Sequence, residues 1–219
     1  MKTSKNLWVQ THNKSRFRPK YPCESVVRFI NSSFSKDRSK KKILDIGCGA
    51  GRHVKLLSEN KFKTYGVEFS KSGIHYTKRL LRQNNLKAEI NYSDMSELPF
   101  KDNYFDGVIS FGVFYYSDSK GMKKGINEMH RVMKNGGAGF INIRSTNDYR
   151  YGKGKKIEQN TFVMNIKETN EYNLTIHFLT KKNILTYFKK FKKIKIEINE
   201  FSYNNMKMLH SDWLITVIK

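Results

Sequence analysis

The segment ILDIGCGAGRH, Ile43 to His53, sets Gly47, Gly49 and Gly51 directly behind an apolar run that contains one acid, Asp45. That order predicts a short buried strand, a glycine-rich turn and the start of a helix. Glycines at such a turn let the backbone take dihedrals closed to other residues, and let a ligand approach the main chain. In open α/β sheets, ligands sit beyond the carboxyl ends of strands, where this turn would lie. The spacing is G-x-G-x-G, with Arg52 where the dinucleotide fingerprint would continue, so a dehydrogenase is disfavoured. Asp45 adds a negative charge suited to a ligand that carries positive groups.

Downstream, apolar strands and helical periods alternate as far as Arg144. KTYGVEF, AEINYSD, FDGVISFG and GFINIRS read as strands. RHVKLLSEN and SKSGIHYTKRLLRQNN read as helices, the second capped by Ser70, and GMKKGINEMHRVMKNGG as a helix closed by Gly136 and Gly137. Repeated βαβ units of this kind predict a doubly wound, mostly parallel sheet with helices on both faces. Beyond Arg144, TFVMNI and LTIHFL flank a polar KETNEYN and predict a hairpin, followed by a helix capped by Thr180. KIKIEINEF and DWLITVIK have no helix between them, so they are expected to pair antiparallel and finish the sheet edge. With no repeats and no low-complexity linker, one domain is expected over 41–219. It is preceded by an arm and helix (CESVVRFINSSF) in 1–40 and carries a variable segment at about 145–180.

Composition bounds the class. The chain has 219 residues, of which 38% are hydrophobic and 13% aromatic, enough for a folded core. No stretch approaches the roughly 20 apolar residues of a membrane span, and the first residues lack the apolar run of a secretory signal. A cytoplasmic location is expected. Cys23 and Cys48 lack metal-ligand spacing and read as reduced packing thiols; no carboxylate and histidine cluster points to a metal. The net charge of +23 raises a nucleic-acid partner. Against it, Lys far outnumbers Arg, the residue suited to bidentate phosphate and base contacts, and the basic residues are scattered.

Three further strand ends share the rim of the glycine turn. Glu68 closes YGVEFS, where a carboxylate accepts the hydroxyls of a ribose. Asp94 and Met95 follow the third strand, placed to meet an adenine amine and ring. Ser110, Phe111 and Gly112 end the fourth.

The series ILDIGCGAGRH, YGVEFS, SDMSELPFKDNYFDGVIS and INEMHRVMKNGGAGFINIR resembles the class I S-adenosylmethionine-dependent methyltransferases, in the group of small-molecule methyltransferase domains. The resemblance covers about Lys41 to Arg144. It implies a Rossmann-like, seven-stranded sheet with an antiparallel last strand, and S-adenosyl-L-methionine as methyl donor, leaving as S-adenosyl-L-homocysteine. Residue by residue, it implies that Asp45, Gly47 and Gly49 hold the methionine moiety and Glu68 the ribose. Asp94 and Met95 would flank the adenine, and Phe111 would lie near the donor. Cys48, Gly51, Phe69 and Gly112 complete the expected donor-binding set.

The acceptor side is less defined. Tyr115 and Tyr116 follow the fourth strand, and His177 lies in the hairpin expected to form a lid. These three are the candidate substrate contacts or base, His being the usual proton acceptor near neutral pH. Arg144 ends the fifth strand at the same rim and suits an anionic acceptor. His53 is expected to pack or to touch the donor, His130 to be structural, and His210 to take either face. Trp8, His12, Arg18 and Tyr21 belong to an arm placed to close over the donor. SFGVFYY lacks the proline pair of base amino-methyltransferases and the cysteine of cytosine C5 enzymes. The expected reaction is direct methyl transfer to an O or N atom of a small molecule or a glycan or lipid precursor. The alternatives are an RNA acceptor, or a non-catalytic donor-binding subunit.

Overall fold

Successive residues of a strand face opposite sides of a sheet, and here that alternation divides the core in two. The computed structural model describes residues 18–167 and 169–219. In chain order the elements are α1 (Glu24–Ser33), β1 (Lys42–Ile46), α2 (Arg52–Glu59), β2 (Lys63–Glu68), α3 (Lys71–Gln83), β3 (Glu89–Tyr92) and β4 (Phe105–Ser110). There follow α4 (Ser119–Val132), β5 (Met133–Arg144), β6 (Gly154–Glu158), β7 (Thr161–Met164), β8 (Thr175–His177), α5 (Lys181–Tyr187), β9 (Lys193–Tyr203) and β10 (Met208–Ile218).

Seven strands form one sheet in the order β3-β2-β1-β4-β5-β10-β9. The first five are parallel, and β10 runs antiparallel to both β5 and β9. This is the doubly wound, mostly parallel architecture expected, with the order reversing between β1 and β4. Ile43, Ile109, Phe140 and Leu214 join Val26, Phe29 and Ile30 of α1 and Leu57 of α2 in one apolar cluster. Their chain neighbours Leu44, Val108, Ile141 and Ile215 join Met122, Ile126 and Met129 of α4 and Ile184 of α5 in the other.

Both expected caps are present. Ser70 Oγ accepts from the Gly73 amide at 3.2 Å, and Thr180 forms a reciprocal capping box with Asn183. Ser70→Ala is expected to lower the urea midpoint by the equivalent of about 1 kcal/mol; an unchanged midpoint would mean the cap contributes nothing to α3.

Two expectations need correction. The helix expected to close at Gly136 and Gly137 ends at Val132, and Met133–Arg144 is a single strand. Met133 is fully buried and extended, paired with Phe105. The pairing then shifts register between Phe105 and Gly107, and Gly136 takes φ +76°. The glycines therefore serve a strand irregularity rather than a helix stop. The second miss is β6: its sequence GKKIE shows no apolar alternation, because three of its five residues are exposed and none is buried. It adds to the expected β7–β8 hairpin, giving a three-stranded antiparallel sheet, β6-β7-β8.

This small sheet is fastened over the carboxyl ends of the main strands. The His177 amide donates to the Tyr115 carbonyl at 2.8 Å, and the Leu179 amide to the Arg144 carbonyl at 2.9 Å. Glu158 accepts from the Ser119 amide at 2.6 Å, at the start of α4, where a carboxylate is favoured by the helix dipole.

Candidate active site

The amides of Gly47 and Cys48 both donate to the Val67 carbonyl, at 2.8 and 3.0 Å, so the turn after β1 is tied to β2. Gly47 has φ +70°, and a Cβ there would lie 2.4 Å from Val113 Cγ2. Only glycine fits this turn against the segment after β4. Gly51, at φ +90°, abuts Thr77 of α3 in the same way. Thr77 Oγ1 donates to the Gly49 carbonyl at 2.8 Å.

Two buried carboxylates flank the turn. Glu68 accepts from the Gly49 amide (3.0 Å) through one oxygen and from the Ser70 amide (2.7 Å) through the other. Burial raises its pKa, against the pull of those backbone donors. Asp45 is 1% exposed, and its Oδ2 has no hydrogen-bond partner. Burial pushes the Asp45 carboxyl up to about 8, opposed by Arg52 and reinforced by Glu68. A buried acceptor left without a donor is costly, so this atom fits a ligand that brings one.

A cavity of about 360 Å³ opens beside the turn. Gly47, Glu68, Phe69, Asp94, Met95 and Gly112 of the expected donor set line it, as do Tyr116 and the small-sheet residues Ile157 and Thr175. Asp94 Oδ1 accepts from the Ser96 amide at 2.9 Å, fixing its loop.

Other sequence candidates lie elsewhere. Cys48 packs with Val54 and Leu81 beneath the turn. Gly49 and Gly51 shape the turn without lining the cavity, and Phe111 packs edge-on against His53 at 5.9 Å. His53 Nε2 accepts from the Cys23 amide at 3.2 Å; burial lowers its pKa to about 3. His177 is buried, with Nδ1 at 2.6 Å from Thr161 Oγ1 and Nε2 at 2.8 Å from Tyr187 OH. Burial takes its pKa down to about 4. His130 meets Phe191 edge-on at 5.0 Å. The Arg18 guanidinium sits 3.7 Å over the Tyr76 ring, and Tyr21 is exposed. Trp8 and His12 lie outside the described residues.

Behind Tyr116 lies a buried ionic cluster. Arg144 donates to Tyr115 OH (3.2 Å), Glu171 Oε1 (3.2 Å) and Asp148 Oδ2 (3.3 Å), and its Nε is 3.4 Å from Asp212 Oδ1. Arg150 donates to both Asp148 oxygens at 2.9 Å and pairs with Glu171. Tyr116 donates to Glu171 Oε1 at 2.7 Å; burial, with Tyr115 and Glu171 alongside, raises its pKa well above the usual phenol value. Asn142 accepts from the Gly112 amide at 2.6 Å and donates to Asp212 at 2.9 Å, linking the cluster to the cavity wall. His210 Nδ1 faces guanidinium donors of Arg144 (3.2 Å) and Arg150 (3.4 Å), so that nitrogen accepts and Nε2 donates to Asp212 at 3.1 Å.

Of this cluster, sequence reasoning singled out Arg144, His210 and the two tyrosines. It missed Asn142, Asp148, Arg150, Glu171 and Asp212, which sit far apart in the chain and obey no common period. The only local signal is the acid and base two apart in NDYR.

Residues 43–137 match the family described as "Methyltransferase domain". The chain is 32% identical over 102 residues to the probable tRNA methyltransferase 9B of Mus musculus, covering 46% of this chain and 21% of that protein. It is likewise 32% identical over 98 residues to the demethylmenaquinone methyltransferase of Clavibacter sepedonicus, covering 44% and 38%. The chain thus spans well under half the length of the curated relatives it matches. Its fold superposes, at TM-score 0.72 and 13% identity, on the 1,6-didemethyltoxoflavin-N1-methyltransferase of Burkholderia thailandensis, crystallised with 1,6-didemethyltoxoflavin and S-adenosylhomocysteine. That match covers 98% of this chain and 86% of the other. The matched residues, 43–137, carry the glycine turn and the ends of β1, β2, β3 and β4 described above, so this part of the chain is a methyltransferase domain.

Proposed function

We propose that this protein transfers a methyl group from S-adenosylmethionine to an oxygen or nitrogen of a small molecule or a glycan or lipid precursor, in the cytoplasm. One observation carries the reading. The cavity walled by Glu68 and Asp94 is also walled by Ile157 and Thr175 of the small sheet, so the donor rim opens into a space roofed by the chain itself. A roofed space suits an acceptor of limited size.

The residues present fit the donor. Asp45, with its unpartnered buried oxygen, receives the cationic end, and Gly47 brings bare backbone to the ligand. Glu68 takes the ribose hydroxyls, and Asp94 and Met95 meet the adenine. When bound, S-adenosylmethionine supplies an electrophilic methyl carried on sulfur. Tyr116 faces the acceptor, its ring held by the hydrogen bond to Glu171. The roof excludes water, and holding the acceptor in line is the main contribution such a site makes to rate. His177, with both ring nitrogens engaged inside the small sheet and its pKa taken down to about 4 by burial, positions that sheet.

A second reading, methylation of RNA, is favoured by the net charge of +23 and by the likeness to a probable tRNA methyltransferase. Tritiated donor incubated with cell extract separates the two. Label is expected in small-metabolite or lipid fractions; label confined to RNA would replace the first reading by the second. Donor binding with no label in any fraction would favour a non-catalytic subunit.

A further inference from the structure

Among the described residues the last strand of the main sheet, β9, has a partner on one side only, so one edge of its eleven residues presents unpaired backbone. Proteins usually blunt such edges with like charges or proline. In β9 the charges instead change sign about a centre. On one face Lys193 and Lys195 precede Ile196 in the chain and Glu197 follows it. On the other face, Ile194 and Ile196 rest partly on the core, whereas Ile198 is 44% exposed.

We propose that β9 is the interface for a second copy of this chain, paired antiparallel about a two-fold axis at Ile196. In that register Lys195 of each copy stands opposite Glu197 of the other, and Ile194 opposite Ile198, while Ile196 meets its own counterpart. The exposed Ile198 gains an apolar neighbour twice over, and both charge pairs are of opposite sign. Cross-strand neighbours of this kind are the unit of sheet stabilisation, and a two-fold interface requires this self-complementarity. Other registers lack it. An axis at Ile194 sets Lys193 against Lys195, and one at Ile198 sets Ile196 against Glu200. A shift by one residue turns the isoleucines to the charged face. Within one copy, Lys195 and Glu197 approach to 2.9 Å, so both heads lie on the exposed face of the strand, where a second copy would bring two more of alternating sign. The positive charge of each copy opposes approach over long range, but salt screens it beyond about 10 Å at 0.1 M.

Sedimentation velocity at about 0.15 M salt tests the proposal without any substrate. The wild type is expected to sediment as a dimer. Lys195→Glu and Glu197→Lys, each placing like charges opposite one another, are expected to weaken association at least ten-fold. The double variant, which restores opposite signs, is expected to dimerise again. At concentrations low enough that all four chains are monomeric they should melt alike, because both positions are exposed; at higher concentration the dimerising chains should melt higher. A monomeric wild type, or a dimer indifferent to the single reversals, overturns the proposal.

Discussion

Arg144→Met is expected to lower the free energy of unfolding by about 3–5 kcal/mol, the usual cost of breaking a buried ion pair from one side. Arg144 is 3% exposed and meets Asp148, Glu171 and Asp212, all buried, so its loss leaves Asp148 and Glu171 to share Arg150 and takes from Asp212 its guanidinium. Methionine fills the volume and supplies no charge. The defect should also be pH-dependent. The Asp212 carboxyl is held below its usual pKa: burial works against this, and His210, Arg144 and Asn142 overcome it. A depressed carboxyl contributes stability that is present above the unfolded value near 3.8 and lost as pH falls through the folded value. The gap between wild type and variant should therefore narrow below about pH 4. Urea unfolding at pH 7 and at acid pH measures both effects. Arg28→Met, at an exposed pair with Glu24, serves as the control and should change stability by under about 1 kcal/mol. Equal midpoints for Arg144→Met and wild type would mean that water already screens the cluster.

Asp45→Ala and Glu68→Ala are each expected to weaken binding of S-adenosylhomocysteine by about 1–3 kcal/mol, the scale of a lost hydrogen bond to a charged group. Calorimetry reads this directly, and unchanged affinity in both variants would remove the donor from this rim. Proton linkage gives a sharper signature. With its pKa up at about 8, Asp45 is largely protonated in the ligand-free protein at neutral pH. A cationic ligand group binds the ionised form, so affinity should rise from pH 6.5 toward 8.5, and Asp45→Asn should abolish that rise. The effect on the free protein has the opposite sense. Between the unfolded value of 3.8 and about 8, the folded state holds a proton that the unfolded state has released, so stability falls as pH rises. Asp45→Asn should flatten that slope while weakening the ligand. Loss of affinity and gain of fold stability in one variant would mark a residue kept for binding.

The parts of this protein that were legible in the sequence share a local cause. The βαβ alternation, the Ser70 and Thr180 caps, and the antiparallel ending follow from side-chain periodicity and turn chemistry within a few residues. The rim of the cavity was equally legible, because strand ends in a parallel sheet fall at one edge, and Glu68, Asp94 and Gly112 lie at or just past the ends of β2, β3 and β4. Where local and distant forces competed, local reading failed. Met133 to Gly137 continues a helical pattern, yet burial of Met133 against Phe105 draws it into a strand.

The sequence by itself determined the sheet, its glycine turn and the methyltransferase-domain resemblance of residues 43–137. Only the tertiary structure decided which candidates face the cavity, setting Tyr116 in its wall while Cys48, Phe111 and His177 pack elsewhere. It alone assembled Arg144, Asp148, Arg150, Glu171 and Asp212. The physical reason is range: periodicity is written by neighbours along the chain, whereas a buried ion cluster is written by groups that meet only after the sheet has closed.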